Sequence, residues 1–329
     1  MLLRLPPNLL HRFYRGGEEI ARFRGIPFRD GHAPEDWVGS TTTAYGEHSV
    51  GLSRLEDGTL LRDVVLRDGL LPPGRRNVDL LVKLLDAGER LPVHCHPDAA
   101  YARERLGSRL GKTEAWLIVK TSGANPEVGL GFREEVPLEA LADWVRRQDV
   151  DALLGSLNRI PVAAGDVVFV PAGLPHAIGQ GIFMIEVQEP SDLSILLEWH
   201  GFRLGEGADP HLGLELEEAL AAVDRSAWTA DRLGGLRSPT SSGGERLQLL
   251  PPDADPFFRA ERLRPEVELE LEPSLSILVV VAGQGLLESA HESLALHAGE
   301  TALVGYGAGA TILSGPLDVI RCLPPVSMP

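Results

Sequence analysis

Apolar and polar positions along this chain change places in short runs, mostly four to eight residues between turn-forming clusters, which is the length of strands. Val78-Asp79-Leu80-Leu81-Val82-Lys83-Leu84-Leu85 becomes apolar on both parities in its second half and predicts a buried strand. Asp86-Ala87-Gly88-Glu89 then predicts a turn into a short strand carrying His94 and His96. Residues 115–119, 167–170, 182–185 and 195–197 predict further strands, and 36–40 and 49–52 read as pieces of irregular sheet. Three stretches predict helices: 98–109, opened by Asp98 as a cap; 137–157, with Leu138, Leu141, Trp144 and Val145 on one face; and 211–224. Residues 238–244 have a linker's Ser/Gly composition, and past them the chain reads as nearly all strand. Residues 267–271 alternate strictly, 277–281 read as buried, and shorter runs follow to Leu323. The pattern predicts a mainly β protein with a few inserted helices, in two units over residues 1–235 and 236–329.

Composition narrows this reading. A chain of 329 residues exceeds one typical domain, and its 25 prolines and 36 glycines, spread throughout, favour turns between strands over a helix bundle. A net charge of −16 repels nucleic acid and anionic membrane surfaces, and no basic cluster offsets it. With two cysteines, Cys95 and Cys322, there is no disulfide framework. No segment has the length and flanks of a signal peptide or a membrane span. A soluble, cytoplasmic protein is expected.

His94-Cys95-His96 is the first element with chemistry in it. Residues two apart on a strand project to one side, so both imidazoles can share a face while Cys95 points away, into structural packing. A pair of surface histidines flanking a turn is the plain alternative. Glu114 follows on the next strand, where a carboxylate suits a divalent ion. The segment from Gly165 through Pro171 and Gly173 to His176 matches the second motif of the cupin superfamily. Gly88 with His94 and His96 fits the spacing of the first. The resemblance implies a double jelly roll (bicupin), with a divalent metal on His94, His96, Glu114 and His176. Zn²⁺ leads, and Mn²⁺, Fe²⁺, Ni²⁺ and Co²⁺ are alternatives.

Longer segments resemble the type I mannose-6-phosphate isomerases in their short bacterial form. Leu81-Val82-Lys83-Leu84-Leu85-Asp86-Ala87 with His96-Pro97-Asp98, Gly111-Lys112-Thr113-Glu114-Ala115-Trp116, the Pro171–His176 corner, and Glu186-Val187-Gln188 with Ser191-Asp192 carry the likeness. It is specific over residues 78–192. Glu35-Asp36-Trp37 matches more loosely, and His211-Leu212-Gly213 less again. The resemblance implies a metal-dependent aldose–ketose isomerase working through an enediol, with Lys112 holding an oxyanion or carrying a proton. A solvated lysine paired with a carboxylate is the alternative for Lys112. Two positions depart from the family. His94 stands where the family has glutamine, and the position of its active-site arginine falls on Leu196, which cannot pair with an anion. Arg203 would need another backbone path to compensate, and His200 reads as a surface residue.

In the C-terminal unit, residues 299–307 repeat the rhythm of the second cupin motif, but the ligand position falls on Ala310. A degenerate, metal-free second unit is expected, with His291 and His297 exposed. Besides the isomerase, two readings stay open: another cupin metalloenzyme such as a dioxygenase, and a non-catalytic sugar-binding or regulatory protein. All three imply a small sugar, sugar phosphate or other small molecule as partner. The residues fix neither the sugar nor the oligomeric state.

Overall fold

Leu81–Asp86 is buried at all six positions because it runs through the interior of a sheet, between Glu35–Val38 and Ile182–Gln188. The computed structural model describes residues 1–67, 69–205, 209–239 and 243–326. Among these the chain is mainly β, with antiparallel sheets of seven, five and nine strands. The seven-stranded sheet runs Arg237–Pro239, Asp166–Val170, Glu114–Thr121, Ile182–Gln188, Leu81–Asp86, Glu35–Val38, Leu9–Leu10. The five-stranded sheet runs Ile195–Leu196, His94–Cys95, His176–Ile178, Glu127–Phe132, Leu157–Pro161.

These two sheets position the site. In the seven-stranded sheet Lys83 is registered opposite both Glu186 and Trp37, Glu186 opposite Trp116, and Glu114 opposite Gln188. Directly opposed residues share a face, so this inward face is polar and aromatic. The other face carries Val82, Leu84, Ile185 and Leu117, and joins one hydrophobic core with Leu249, Ile277, Val279, Leu303 and Ile320 of the C-terminal strands. In the five-stranded sheet His94 is registered opposite His176 on one side and Leu196 on the other.

The C-terminal strands build the nine-stranded sheet, whose longest member, Ser276–Glu288, contains both the run 277–281 and a bulge between Val280 and Ala282. Strands are exchanged between the two halves of the chain. Leu2–Arg4 pairs with Thr301–Val304, and Arg237–Pro239 pairs with Asp166–Val170. Of the linker-like stretch, residues 240–242 lie outside the described residues.

Several predicted elements are shorter than their patterns. The first predicted helix is Ala99–Arg105, preceded in the chain by Glu19–Arg24 and Leu61–Arg67, with Asp98 accepting from the Tyr101 amide at 2.7 Å. The stretch 137–157 is two helices, Leu138–Arg147 and Val150–Ser156, parted by Gln148 at φ 50°. Helix 211–224 contracts to Leu216–Leu220, because Leu212 and Gly213 both take positive φ and keep the chain in turns. The buried strand starts at Leu81 because Asp79, at φ 53°, breaks the extended run. Residues 49–52 form no strand. Among the described residues no helix is long and apolar enough to cross a membrane.

Two motif glycines have physical reasons. Gly165, at φ 95°, and Gly173, at φ 85°, adopt left-handed backbone that a side chain disfavours. Gly88 is needed for a different reason, since a Cβ there would overlap the Gly16 carbonyl and the Gly17 nitrogen. Gly88→Ala is therefore expected to cost about 1–3 kcal/mol, read as a lowered midpoint in denaturant unfolding; an unchanged midpoint would show that the Gly16–Gly17 turn moves aside freely.

Candidate metal centre

Strand parity delivers His94 and His96 to one side, the cross-strand register sets His176 against His94, and the ring centroids lie 4.1–5.0 Å apart. Each ring is fixed by its own backbone contact. Nδ1 of His94, His96 and His176 donates to the carbonyls of Pro92, Leu193 and Leu174, each at 2.8 Å. A carbonyl only accepts, so the proton is on Nδ1 and Nε2 carries a lone pair. One ligand atom from each of the three lies within 4.8 Å of the others, all three residues being buried. Nε2 of His176 is buried with no hydrogen-bond partner, an expensive state for a polar atom unless something binds it. Burial and the charge of Lys112 push His96 down to about 3. Burial also lowers His94 and His176, so the rings are neutral, as ligands must be.

Glu114 reaches in from the opposite sheet. Its Oε2 is 3.1 Å from His96 Nε2 and its Oε1 3.5 Å from His176 Nε2, while Trp116 Nε1 donates to Oε1 at 2.9 Å. Burial works against the carboxylate, but Lys112 and His96 outweigh it and hold Glu114 well below its ordinary value. Lys112 Nζ lies 2.9 Å from Glu114 Oε2 and donates to His96 Nε2 at 2.8 Å. It is buried, so the solvated-lysine alternative does not describe it. The five sequence-predicted residues thus come together, and the chemistry of three unprotonated imidazole nitrogens beside a carboxylate fits a divalent ion.

Sequence reading gave no site role to most of the rest of the pocket. Arg12, Tyr14, Glu35, Lys83, Glu186 and Ser194 share it with His94, Lys112, Glu114 and the Leu196 singled out from sequence. Lys83 Nζ stands 3.3 Å from Glu186 and 3.9 Å from Glu35, whose Oε1 accepts from the Tyr14 hydroxyl and Oε2 from Trp37 Nε1. Burial raises Glu186, whose Oε1 has no hydrogen-bond partner. Arg12 forks onto Asp192 with bonds of 3.1 and 2.9 Å. For Lys83 and Glu186 the available signal was a lone charge inside an apolar strand, Val82-Lys83-Leu84 and Ile185-Glu186-Val187. For Arg12 there was none.

Other candidates lie elsewhere. Cys95 is buried on the far side of its strand among Val93, Ile195 and Leu197, its thiol raised to about 12 by burial. His200, Arg203, His291 and His297 are exposed, and Arg203 meets His32 rather than the pocket.

A mainly β protein with a buried cluster of three histidines able to hold a metal is the class that fold and site define. No family model matches the chain. The mannose-6-phosphate isomerase of Streptococcus mutans is 30% identical over 243 residues, 73% of this chain and 72% of that protein. The mannose-6-phosphate isomerase of Bacillus subtilis is 29% identical over 247 residues, 73% of each. A crystal structure of the mannose 6-phosphate isomerase from B. subtilis shares the fold with a TM-score of 0.78 at 23% identity, covering 98% of this chain and 99% of that one. The chain belongs to the mannose-6-phosphate isomerase family.

Arg12 and Lys83 outweigh burial and draw Asp192 down to about 2, against an ordinary 3.8. A depressed carboxylate adds stability that is present above its unfolded value and lost as pH falls through its folded one. With the Asp192 side chain 5% exposed, that is about 2 kcal/mol. Asp192→Asn should lower urea-unfolding stability by about this much at pH 7, and the gap to the unmutated protein should narrow between pH 4 and pH 2; a gap constant with pH would refute the assignment.

Proposed function

We propose that this chain is a metal-dependent aldose–ketose isomerase acting on mannose 6-phosphate or a close relative of it. One observation carries the reading: three neutral imidazoles and a carboxylate converge beside the buried Lys112, with His94, Glu114 and Lys112 lining one pocket, in a chain whose relatives are named mannose-6-phosphate isomerases. Family membership disfavours the dioxygenase and the non-catalytic readings.

We assign His94, His96, Glu114 and His176 as ligands, with zinc as the ion and Mn²⁺, Fe²⁺, Ni²⁺ or Co²⁺ suited to the same donors. A bound divalent cation would supply Lewis-acid polarisation of sugar oxygens. The remaining chemistry belongs to the protein. Isomerisation moves a proton between adjacent carbons through an enediol, which needs a donor at the developing oxyanion and a group to carry the proton. Lys112, buried against the cluster and 3.9 Å from Glu186, is suited to the first task or the second. Glu186, raised by burial and with no hydrogen bond at Oε1, which faces the ammonium groups of Lys83 and Lys112, is suited to taking the proton.

The finer architectural reading accompanies this one. It is a double jelly roll of the cupin kind, with a metal-bearing unit over residues 1–235 and a degenerate unit over 236–329, in a cytoplasmic enzyme with a small sugar or sugar-phosphate substrate and no nucleic-acid or membrane partner. The two strand exchanges make the units interlocked rather than separable. Leu196 lines the pocket, in keeping with the loss there of the family's arginine.

Protein purified without added metal should carry about one zinc per chain and convert mannose 6-phosphate to fructose 6-phosphate. His176→Ala should empty the site and lower turnover by more than the ~100-fold that losing a supporting contact costs. Absence of C2 proton exchange in heavy water across a panel of sugars and sugar phosphates would remove the isomerase reading.

A further inference from the structure

The pocket holds three cations, and their nitrogens are not equally committed. Lys83 has one nitrogen, held between Glu186 and Glu35. Lys112 likewise has one, held by Glu114 and His96. Arg12 has three. Its two Nη groups are bonded to Asp192, while Nε is buried, comes within 3.4 Å of Glu35 Oε2 and makes no hydrogen bond. A buried N–H without a partner is costly, and more so on a charged group. Asp192 fixes the plane of the guanidinium, so that donor is rigidly held in a pocket whose lining also includes His94, Lys112 and Glu114. Leu196, lining the same space, brings no polar atom.

We infer that Arg12 is a substrate-contacting residue, its Nε–H donating to one oxygen of a polyhydroxy sugar while Asp192 positions the group. Each Nη bonded to Asp192 keeps a second N–H, and Nε–H is singled out because it is buried with no hydrogen-bond acceptor. A donor so placed suits a hydroxyl, carbonyl or enediolate oxygen. The inference rests on the pocket being a sugar site, and so deepens the isomerase reading.

Removing Arg12 alone would strand a buried Asp192, so the informative comparison is Asp192→Asn against the double variant Arg12→Met/Asp192→Asn. Two readouts separate the questions: kcat and KM with mannose 6-phosphate, and calorimetric binding of mannitol and mannitol 6-phosphate, which carry hydroxyls and no carbonyl. Melting curves and metal content show that both variants are folded and loaded. The double variant is expected to lose at least about tenfold in kcat/KM relative to Asp192→Asn, the loss due to one charge-assisted hydrogen bond, and to weaken both polyols by a similar factor. Equal kcat/KM and equal polyol affinity in the two variants would overturn the inference and leave the isomerase reading intact. Polyol binding weakened in the double variant of a protein that never turns over a sugar would sink the isomerase reading and uphold the role of Arg12. A double variant that does not fold is replaced by Arg12→Gln/Asp192→Asn, which keeps polar volume and is held to the same two outcomes.

Discussion

Everything at the centre of this molecule depends on an alternation of charge along the seam between two sheets. Asp192 faces Arg12, Arg12 faces Glu35, Glu35 faces Lys83, Lys83 faces Glu186, and Lys112 bridges Glu186 and Glu114 beside the imidazoles. No charge in this row can be buried alone, because an unpaired buried ion costs several kcal/mol. The row stands because each member lies within 4 Å of an opposite charge. The arrangement is weak evidence for stability and better evidence for a site. Groups held this firmly by one another need little reorganisation when charge develops in a ligand between them.

The histidine cluster was legible in sequence because its geometry is set by local rules. Strand parity puts His94 and His96 on one side, and the glycine and proline corner before His176 fixes where the next strand begins. Glu114 was harder, since the helix Ala99–Arg105 separates it from the histidines, and only the surrounding Gly111–Trp116 segment pointed to it. Lys83 lay within a segment read as a buried strand, and Glu186 directly after the one read over 182–185. A single charge there marks a strand with one face turned to a polar interior, a distinction that hydrophobicity averaged over a run erases. Arg12 was invisible for a different reason. It meets Asp192 across 180 positions of sequence, and nothing in its local segment encodes that approach.

Three of the misjudged element boundaries share one cause. Asp79, Gln148 and Leu212 are the non-glycine residues with positive φ among those described, and each stands where a predicted element stops short, breaks or fails to start. Gln148 shows how tertiary contacts hold such a residue: its side-chain oxygen accepts from the amides of Trp199 and His200, and its nitrogen donates to the Val145 and Leu197 carbonyls. Periodicity carried straight through 137–157 because it records which face is apolar. It does not record where distant backbone captures a side chain.

The same sheet explains why a chain with its histidine cluster in the N-terminal part carries a second β-rich portion. Once the inward face of the seven-stranded sheet is given to charged groups, its hydrophobic contribution must come from the outward face, through Val82, Leu84, Leu117 and Ile185. Left to solvent, that face would be an apolar patch of the kind soluble proteins cover. The C-terminal strands cover it, with Phe258 meeting Phe169 at 6.4 Å and Leu249, Val279 and Ile320 in the same core. The exposure of His291 and His297 fits this role, because a covering layer needs apolar area and no chemistry of its own. Apolar cover in one half and concentration of charge in the other are then two sides of one division of labour. The half that carries the site is poorly placed to stabilise itself, and the half that stabilises it has no need of a site.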